Sequence, residues 1–447
     1  MLTAENTESA QEHRRLAATS AAAEPSGAAL AALPDEALLE QVQRQTFDFF
    51  WKGAHPVSGL APDRRTTRDE PVDDLITTGG TGFGVMAIIV AVERGWVSRE
   101  AALDRLTSML DVLVRAPCYH GVFPHFMNGL TGATIAFSRK DDAGDLVETS
   151  FLVMGLLCAR QYFQRDTPAE KKLRDRINWI SEEVEWDWYT QGGRKLLYWH
   201  WSPNNGWAMD HEIHGWNECL ITYVLAAGSK RYPIDPLVYH RGYATGRDFL
   251  NGKSYYGIEL PLGQPYGGPL FFSHYSFCGL DPRGLKDRYA DYWDLNCRHV
   301  QINRAHCAAN PHRYKGYSES CWGLTASDDH AGYGAHAPDN DNGTISPTAA
   351  LSSLPYAPAE VMATLRFFLR EHGDKIWKRY GFVDAFNEQQ DWTADTFLAI
   401  DQGPIVVMME NHRTGLLWKL FMSVPEVQTG LRRLGFSSPH LAAGATS

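Results

Sequence analysis

Three carboxylates in this sequence stand where they could do acid–base work. Glu148 lies in GDLVETSFLVMGLL, in the first turn of an apolar helical run. Glu218 lies in HGWNECLITYVLAAGS, again at a helix start. Asp401 lies in ADTFLAIDQGPIVVMMEN, three residues before Pro404. Cleavage of a glycoside needs such groups in pairs: one carboxyl protonates the leaving oxygen, and another on the opposite face of the ring acts as base or nucleophile. Apolar neighbours raise a carboxyl pKa toward the value a general acid requires. The ordinary role must stand beside this one, because acids near helix N-termini cap free N–H groups and complement the helix dipole. What favours chemistry is the company. Trp216 and Asn217 precede Glu218, and Phe397, Leu398 and Ile400 surround the approach to Asp401. A second acidic group, Glu319 in YSESCWGLTASDD with the pair Asp328–Asp329, lies in a loop rich in Gly and Tyr. There it is either solvated or bound to sugar hydroxyls.

Three acids so far apart in sequence meet only if helices carry them to one place. Helical periodicity dominates the chain. Apolar positions recur at three and four residues over roughly 33–51, 80–96, 99–115, 148–164, 168–190, 216–229, 235–250, 283–309, 359–373, 404–411, 414–422 and 424–434. Ser98, the run Asp166-Thr167-Pro168, and Pro404 supply start signals. Alternating strand pattern is confined to short pieces such as 195–201. About a dozen helices predict an all-α (α/α)6 barrel, although two helical bundles would give the same inventory. The Gly-, Pro- and aromatic-rich stretches 117–147, 191–215, 252–281 and 311–347 are long for structureless loops, and such loops are usually functional. They predict a cleft built at one end of the toroid. Residues 1–34 read as a disordered leader without the charged start and apolar run of a signal peptide. Residues 35–447 read as one catalytic domain.

Composition narrows the ligand. The 447 residues carry a formal net charge of −11 and fourteen Trp. Nucleic-acid binders usually carry a basic surface, and an acidic, Trp-rich chain suits a neutral polar ligand such as a sugar. Trp201, Trp207, Trp216, Trp322, Tyr333 and Trp392 lie in or beside the long loops. There each either stacks on the C–H face of a sugar ring or anchors the core under a loop. No stretch of about 18 apolar residues predicts a membrane span. The seven Cys show no CxxC and no zinc spacing.

Several motifs point elsewhere and fall short. His211-Glu-Ile-His214 is not HExxH. Asp339-Asn-Asp341-Asn-Gly343 opens like a calcium loop, but Ala350 stands where the twelfth-position Glu is required. The run Gly79–Gly84 lacks GxGxxG spacing and predicts close helix packing or a loop near the cleft. Neither a metal nor a cofactor is expected.

The stretch GYSESCWGLTASDDHAGYGAHAPDNDNGTISPTAALSSLPYAPAEVMATLRFF, followed by YGFVDAFNEQQDWTADTFLAIDQGPIVVMMENHRTGLLWKLFM, resembles the glucoamylase-like family. That family includes bacterial endo-β-1,2-glucanases and a domain of cyclic β-1,2-glucan synthases. HGWNECLITYVLAAGS, GGPLFFSHYSFCGLDPRG and LVETSFLVMGLL fit the same pattern, so the resemblance covers about residue 40 to the C-terminus. It implies an (α/α)6 barrel, no cofactor, and inverting hydrolysis of β-1,2-glucan; endo action is the expected mode. By motif position Glu218 and Asp401 match acids of the family's chemistry, whereas the Glu148 position is usually Asp. The expected assignment has Glu218 as general acid and Asp401 or Glu148 activating water, with carboxyls roughly 6.5–9.5 Å apart for inversion. The expected ligand-binding residues are Trp216, Trp322, Trp392, Trp207, Tyr333 and Glu319. Alternatives are exo action, a cyclic substrate, transglycosylation, or glucan binding without turnover. Relatives commonly act in the periplasm or outside the cell.

Overall fold

The computed structural model describes residues 26–441, so most of the expected leader lies outside the described residues. The part of it that is described is not disordered: Gly27–Ala31 is a short helix, capped by Ser26 and packed on the helix Pro358–Glu371. Gly27 makes that packing possible, since a Cβ there would lie 2.3 Å from the Leu369 carbonyl.

Among the described residues the twelve longer helices are α1 (Asp35–Trp51), α2 (Thr78–Glu93), α3 (Arg99–Leu113), α4 (Leu146–Tyr162), α5 (Pro168–Glu182), α6 (Leu220–Gly228), α7 (Tyr292–Ala309), α8 (Pro347–Ser352), α9 (Pro358–Glu371), α10 (Ala399–Arg413), α11 (Leu416–Met422) and α12 (Pro425–Arg433). They form two layers of an α/α toroid. In the inner layer α2 packs against α4 and α10, α4 against α6, and α10 against α8. The tight 3-10 turns of Leu270–Ser273 and Ser276–Cys278 stand in this layer too, tied to α6 by a Ser276 hydroxyl that accepts the Ile221 N–H. Inner helices are buried nearly all round, as α2, α4 and α6 show, which is why their sequences are apolar on every face. Outer helices bury one stripe. In α1 it is Leu38, Leu39, Val42, Thr46, Phe47 and Phe50; in α9 it is Val361, Thr364, Leu365, Phe368 and Leu369.

Glycines let the inner helices approach closely. A Cβ at Gly82 would sit 2.1 Å from the Phe151 carbonyl, and one at Gly155 2.1 Å from the Gly82 carbonyl, so α2 and α4 cross backbone to backbone. The Gly79–Gly84 run is thus part of a helix face that touches its neighbours.

Four of the sequence-read helices differ: the 168–190 run ends at Glu182, with a separate 3-10 turn at Trp188–Thr190. The run 235–250 gives only Pro236–Val238 and a π-turn at Tyr239–Tyr243, because Gly242 and Gly246 interrupt it. The 283–309 run becomes helical at Tyr292, after the Asp291 cap. Helix α10 starts at Ala399, not at Pro404, so Asp401 lies in its first turn and Pro404 inside the helix. The long loops hold short antiparallel pairs, among them 250–255 with 258–262, 326–329 with 332–335, and 64–66 with 396–398.

Candidate active site

Short strands feed the inner helices at one end of the toroid. Leu75–Thr77 leads into α2, Gly144–Asp145 into α4, and Thr396–Leu398 into α10. The first turns of these helices meet: a Cβ on Gly79 would touch the Glu148 carboxyl at 2.5 Å, and one on Gly80 would touch Ala399 at 2.5 Å. Their free N–H groups and positive dipole ends therefore face one region, which favours negative charge there. Beneath it three rings close the bore. Phe83 of α2, Phe151 of α4 and Tyr275 lie with centroids 5.4–5.6 Å apart. Phe151 is one helical turn below Glu148, and the Tyr275 hydroxyl reaches Asp401, so the acids stand on an aromatic floor that keeps water from one side.

Glu148 is buried, and its Oε2 accepts the Gly79 N–H at 2.7 Å. Burial lifts its pKa to about 7, with His125 pulling down and Asp145 pushing up. Asp145 caps α4 by accepting the N–H groups of Val147 and Glu148 at 3.1 and 2.9 Å. Its other oxygen faces His125 at 3.1 Å and His200 at 3.4 Å, and His200 also meets Asp141 at 3.0 Å. Burial opposes charge on His125, but Glu148, Asp145 and Asp141 outweigh it and lift that histidine to about 9. His200 follows the same logic, to about 9. Burial alone would raise Asp145, yet these two histidines hold it below the usual carboxylate range.

Glu218 lies in the turn just before α6, its carbonyl accepting the Ser276 hydroxyl. It is 9% exposed, and burial, with smaller contributions from Glu148 and Asp145, carries its pKa to about 7. Asp401 is 2% exposed. Its Oδ1 accepts the Tyr275 hydroxyl at 3.2 Å, and burial followed by the charge of Asp384 holds its pKa well above the ordinary value. Burial pushes the Tyr275 phenol up, and the charges of Asp401 and Glu218 add to it. Glu148 and Asp401 thus occupy the first turns of α4 and α10, and Glu218 the turn that leads into α6.

The expected ligand-binding residues divide. Trp322 is fully buried, and Trp216, 3% exposed, packs on Phe277 and Tyr292. Both are core anchors with almost no ring face for a ligand, which corrects the expectation; an indole beside an apolar helix gains more by burial. Glu319 is exposed and pairs with Arg304 on α7. Trp392 sits at the far end of a hairpin (386–387 with 392–393) whose base holds Asp384 and Thr396. Trp207 joins Trp188, Tyr189 and Tyr198 in an aromatic cluster bordering a surface cleft of about 620 Å³. Trp201 pairs with Gly144, next to Asp145. Tyr333, 56% exposed, lies in the second strand of the 326–335 hairpin, where it pairs with Asp328. Burial of its hydroxyl end and the charges of Asp401, Asp384, Asp63 and Asp328 push it up.

Asp145, His125, His200, Tyr275 and Asp384 were missed in the sequence. Asp384 had a signal, a lone acid inside the apolar run Gly381–Phe386. Asp145 had one too, three residues before Glu148, at cap spacing.

Among the described residues, three groups could share an ion: His306, His312 and Asp341; Cys321, His372 and Glu388; and His125, Asp141 and Asp145. In the first, His306 already bonds Asp341 and Tyr256, each at 2.8 Å. The calcium-like loop spends Asp341 on that contact, on the Tyr317 hydroxyl at 2.7 Å and on the Gly343 N–H at 2.9 Å. His211 stacks on Trp199. All seven cysteines are free. Among the described residues, no helix is long and apolar enough to cross a membrane.

The chain is similar to several known proteins. The family model described as "Putative glucoamylase" matches residues 210–425. A solved protein of the same description from Bacteroides uniformis is 57% identical, with a TM-score of 0.89 over 92% of this chain and 99% of that one. The endo-β-1,2-glucanase from Chitinophaga pinensis, solved with sophorotriose and glucose, is 51% identical, with a TM-score of 0.89 over 92% of this chain and 100% of that one. The exo β-1,2-glucooligosaccharide sophorohydrolase (non-reducing end) of Parabacteroides distasonis is 44% identical over 423 residues, 90% of this chain. The match spans 58% of that relative's length.

Proposed function

The chain belongs to the glucoamylase-like β-1,2-glucanase family, and from that premise we propose that it hydrolyses β-1,2-glucosidic linkages, cutting within the glucan and inverting the anomeric centre. The catalytic unit is one domain from residue 35 onward, with six inner segments (α2, α4, α6, the 270–278 turns, α8 and α10) forming an (α/α)6 barrel.

The observation that carries this reading is the set of buried carboxyls on one aromatic floor, with Glu218 at a pKa of about 7. A general acid works best with a pKa near the operating pH. Glu218 protonates the leaving oxygen, and Asp401 takes a proton from the attacking water. Glu148, held by the Gly79 N–H, flanks the pair and feels the positively charged His125. Tyr333 and Trp201, on the rim, stack on sugar rings.

Glu218→Gln and Asp401→Asn test the assignment with β-1,2-glucan as substrate. Each exchange lowers turnover by roughly 10²–10⁴-fold and leaves sugar binding within a few-fold. Near wild-type turnover in either variant would remove that residue from the mechanism. A second reading, release of a disaccharide from the chain end, is favoured by the name of the Parabacteroides relative. Early products decide between them: mixed short oligomers for internal cuts, sophorose alone for end cuts.

A further inference from the structure

Asp384 precedes the strand that leads to α10, and its backbone N–H bonds the Thr396 carbonyl at 2.9 Å. Its side chain is fully buried beside Asp401. One oxygen of each carboxyl is accounted for: Asp384 Oδ2 accepts the Asp328 N–H at 2.7 Å, and Asp401 Oδ1 accepts the Tyr275 hydroxyl at 3.2 Å. The other two, Asp384 Oδ1 and Asp401 Oδ2, are buried without any donor, although the two carboxyls lie within hydrogen-bonding reach of each other. Ionised carboxylates only accept, so two of them cannot bond one another. One proton placed between them turns the repulsion into a charge-assisted hydrogen bond.

The hydrogen bonds of the neighbouring polar groups go elsewhere. The charge of Arg64 favours the ionised form of Asp384, but its hydrogen bonds go to Asp63 and, through both oxygens, to Asp328. Thr396 donates to Asp328 at 2.6 Å, and Thr348 donates to the Asp401 carbonyl, not to its carboxyl. The remaining groups beside the pair are Tyr275 between the two 3-10 turns, and Tyr333 and Asp328 from the hairpin. None of these is a cation.

We propose that Asp384 and Asp401 share one proton, and that this pair, acting as a unit with a single negative charge, is the base that takes the proton from the attacking water. The proposal rests on the reading of Asp401 as the water-activating residue. Both carboxyls are held above their ordinary range, Asp384 by burial and then the charge of Asp328, Asp401 by burial and then the charge of Asp384, while the hydrogen bond with Asp401 pulls Asp384 down, as a shared proton requires. In the reaction the water oxygen bonds to C1 while the C1–O glycosidic bond breaks. The proton of Glu218 goes to the leaving oxygen, and a water proton goes to Asp401. The pair ends with two protons and no charge, Glu218 ends as the anion, and each resets by proton exchange with solvent. Asp384 is a positioning residue: it holds Asp401 in the charged, receptive state by donating the shared proton.

The test compares Asp384→Ala, Asp384→Asn and Asp401→Asn with the parent, reading kcat and kcat/KM against pH and titrating 13C-labelled aspartate carboxyls by NMR. Without its donor, the buried Asp401 of the Ala variant gains proton affinity. Its acid limb moves up by about one pH unit or more, and turnover falls about tenfold or more. The Asn variant donates an N–H where the shared proton was, so its acid limb returns to within about half a unit. By NMR the parent shows the two carboxyls titrating together in two coupled steps, and the Asn variant shows one. Superimposed profiles for all three proteins at position 384, or Asn behaving as Ala, would overturn the proposal, as would two independent single steps by NMR. The NMR comparison of parent and Asn variant stands even if the Ala variant does not fold. Retained turnover in Asp401→Asn would instead sink the base assignment, while NMR still reads the shared proton.

Discussion

Glu218→Gln is predicted to stabilise the folded protein above neutral pH and to change little below about pH 4.5. Burial carries the folded-state pKa from 4.5 to about 7, while the unfolded chain keeps the ordinary value. The native state therefore binds more protons than the unfolded one throughout that window, and stability falls as pH rises through it. A gap of about 2.5 in pKa, at about 1.4 kcal/mol for each tenfold change in proton affinity, amounts to about 3 kcal/mol lost by the parent once pH exceeds 7. Glutamine has no proton to lose, so the variant escapes that loss. For a chain of 447 residues, an unfolding entropy near 2.1 cal/mol/K per residue converts 3 kcal/mol to about 3 °C in Tm. The assay is calorimetric Tm for both proteins at several pH values between about 4 and 9. Any constant effect of the amide cancels in the slope of the difference. A difference that stays flat, or that grows toward acid pH, would refute the reasoning that burial destabilises the ionised form of this residue.

Gly79→Ala places a methyl 2.5 Å from Glu148 Oε2 and breaks the 2.7 Å hydrogen bond from the Gly79 N–H. A bond to a charged group contributes about 1.5–3 kcal/mol, so steady-state assays are expected to show about 10–100-fold lower kcat/KM. Gly155→Ala drives a methyl into the Gly82 carbonyl at the α2–α4 crossing. It is expected to lower stability by about 2 kcal/mol or more, read as a Tm fall that does not depend on pH. Tyr333→Ala removes a half-exposed ring from a short surface hairpin; KM for β-1,2-gluco-oligosaccharides rises while Tm stays within about 1 °C.

The inner helices were legible because a helix buried on every face has to be apolar throughout, and α4 and α6 carry that signature plainly. Glu148, Glu218 and Asp401 were legible as acids at the heads of such helices. What the sequence could not convey is which long-range partners each acid meets. Tyr275 lies 126 residues from Asp401, and no local spacing marks that pairing. Trp216 and Trp322 misled for a related reason: indole is both the preferred sugar platform and the largest core filler, and only tertiary packing separates the two uses. Helix α8 escaped notice because six residues of Pro347–Ser352 are too short to show a period. The 235–250 run promised a helix that its glycines and tertiary contacts reduce to a π-turn.

The most direct test of the hydrolase assignment is incubation with linear β-1,2-glucan, with laminarin and cellulose oligomers in parallel, following the products and their first-formed anomers by NMR. The predicted result is cleavage of β-1,2-glucan alone, to mixed short oligomers whose new reducing ends appear first as the α-anomer. New reducing ends that appear first as the β-anomer would contradict inversion, and the absence of cleavage of β-1,2-glucan would contradict the proposed activity itself.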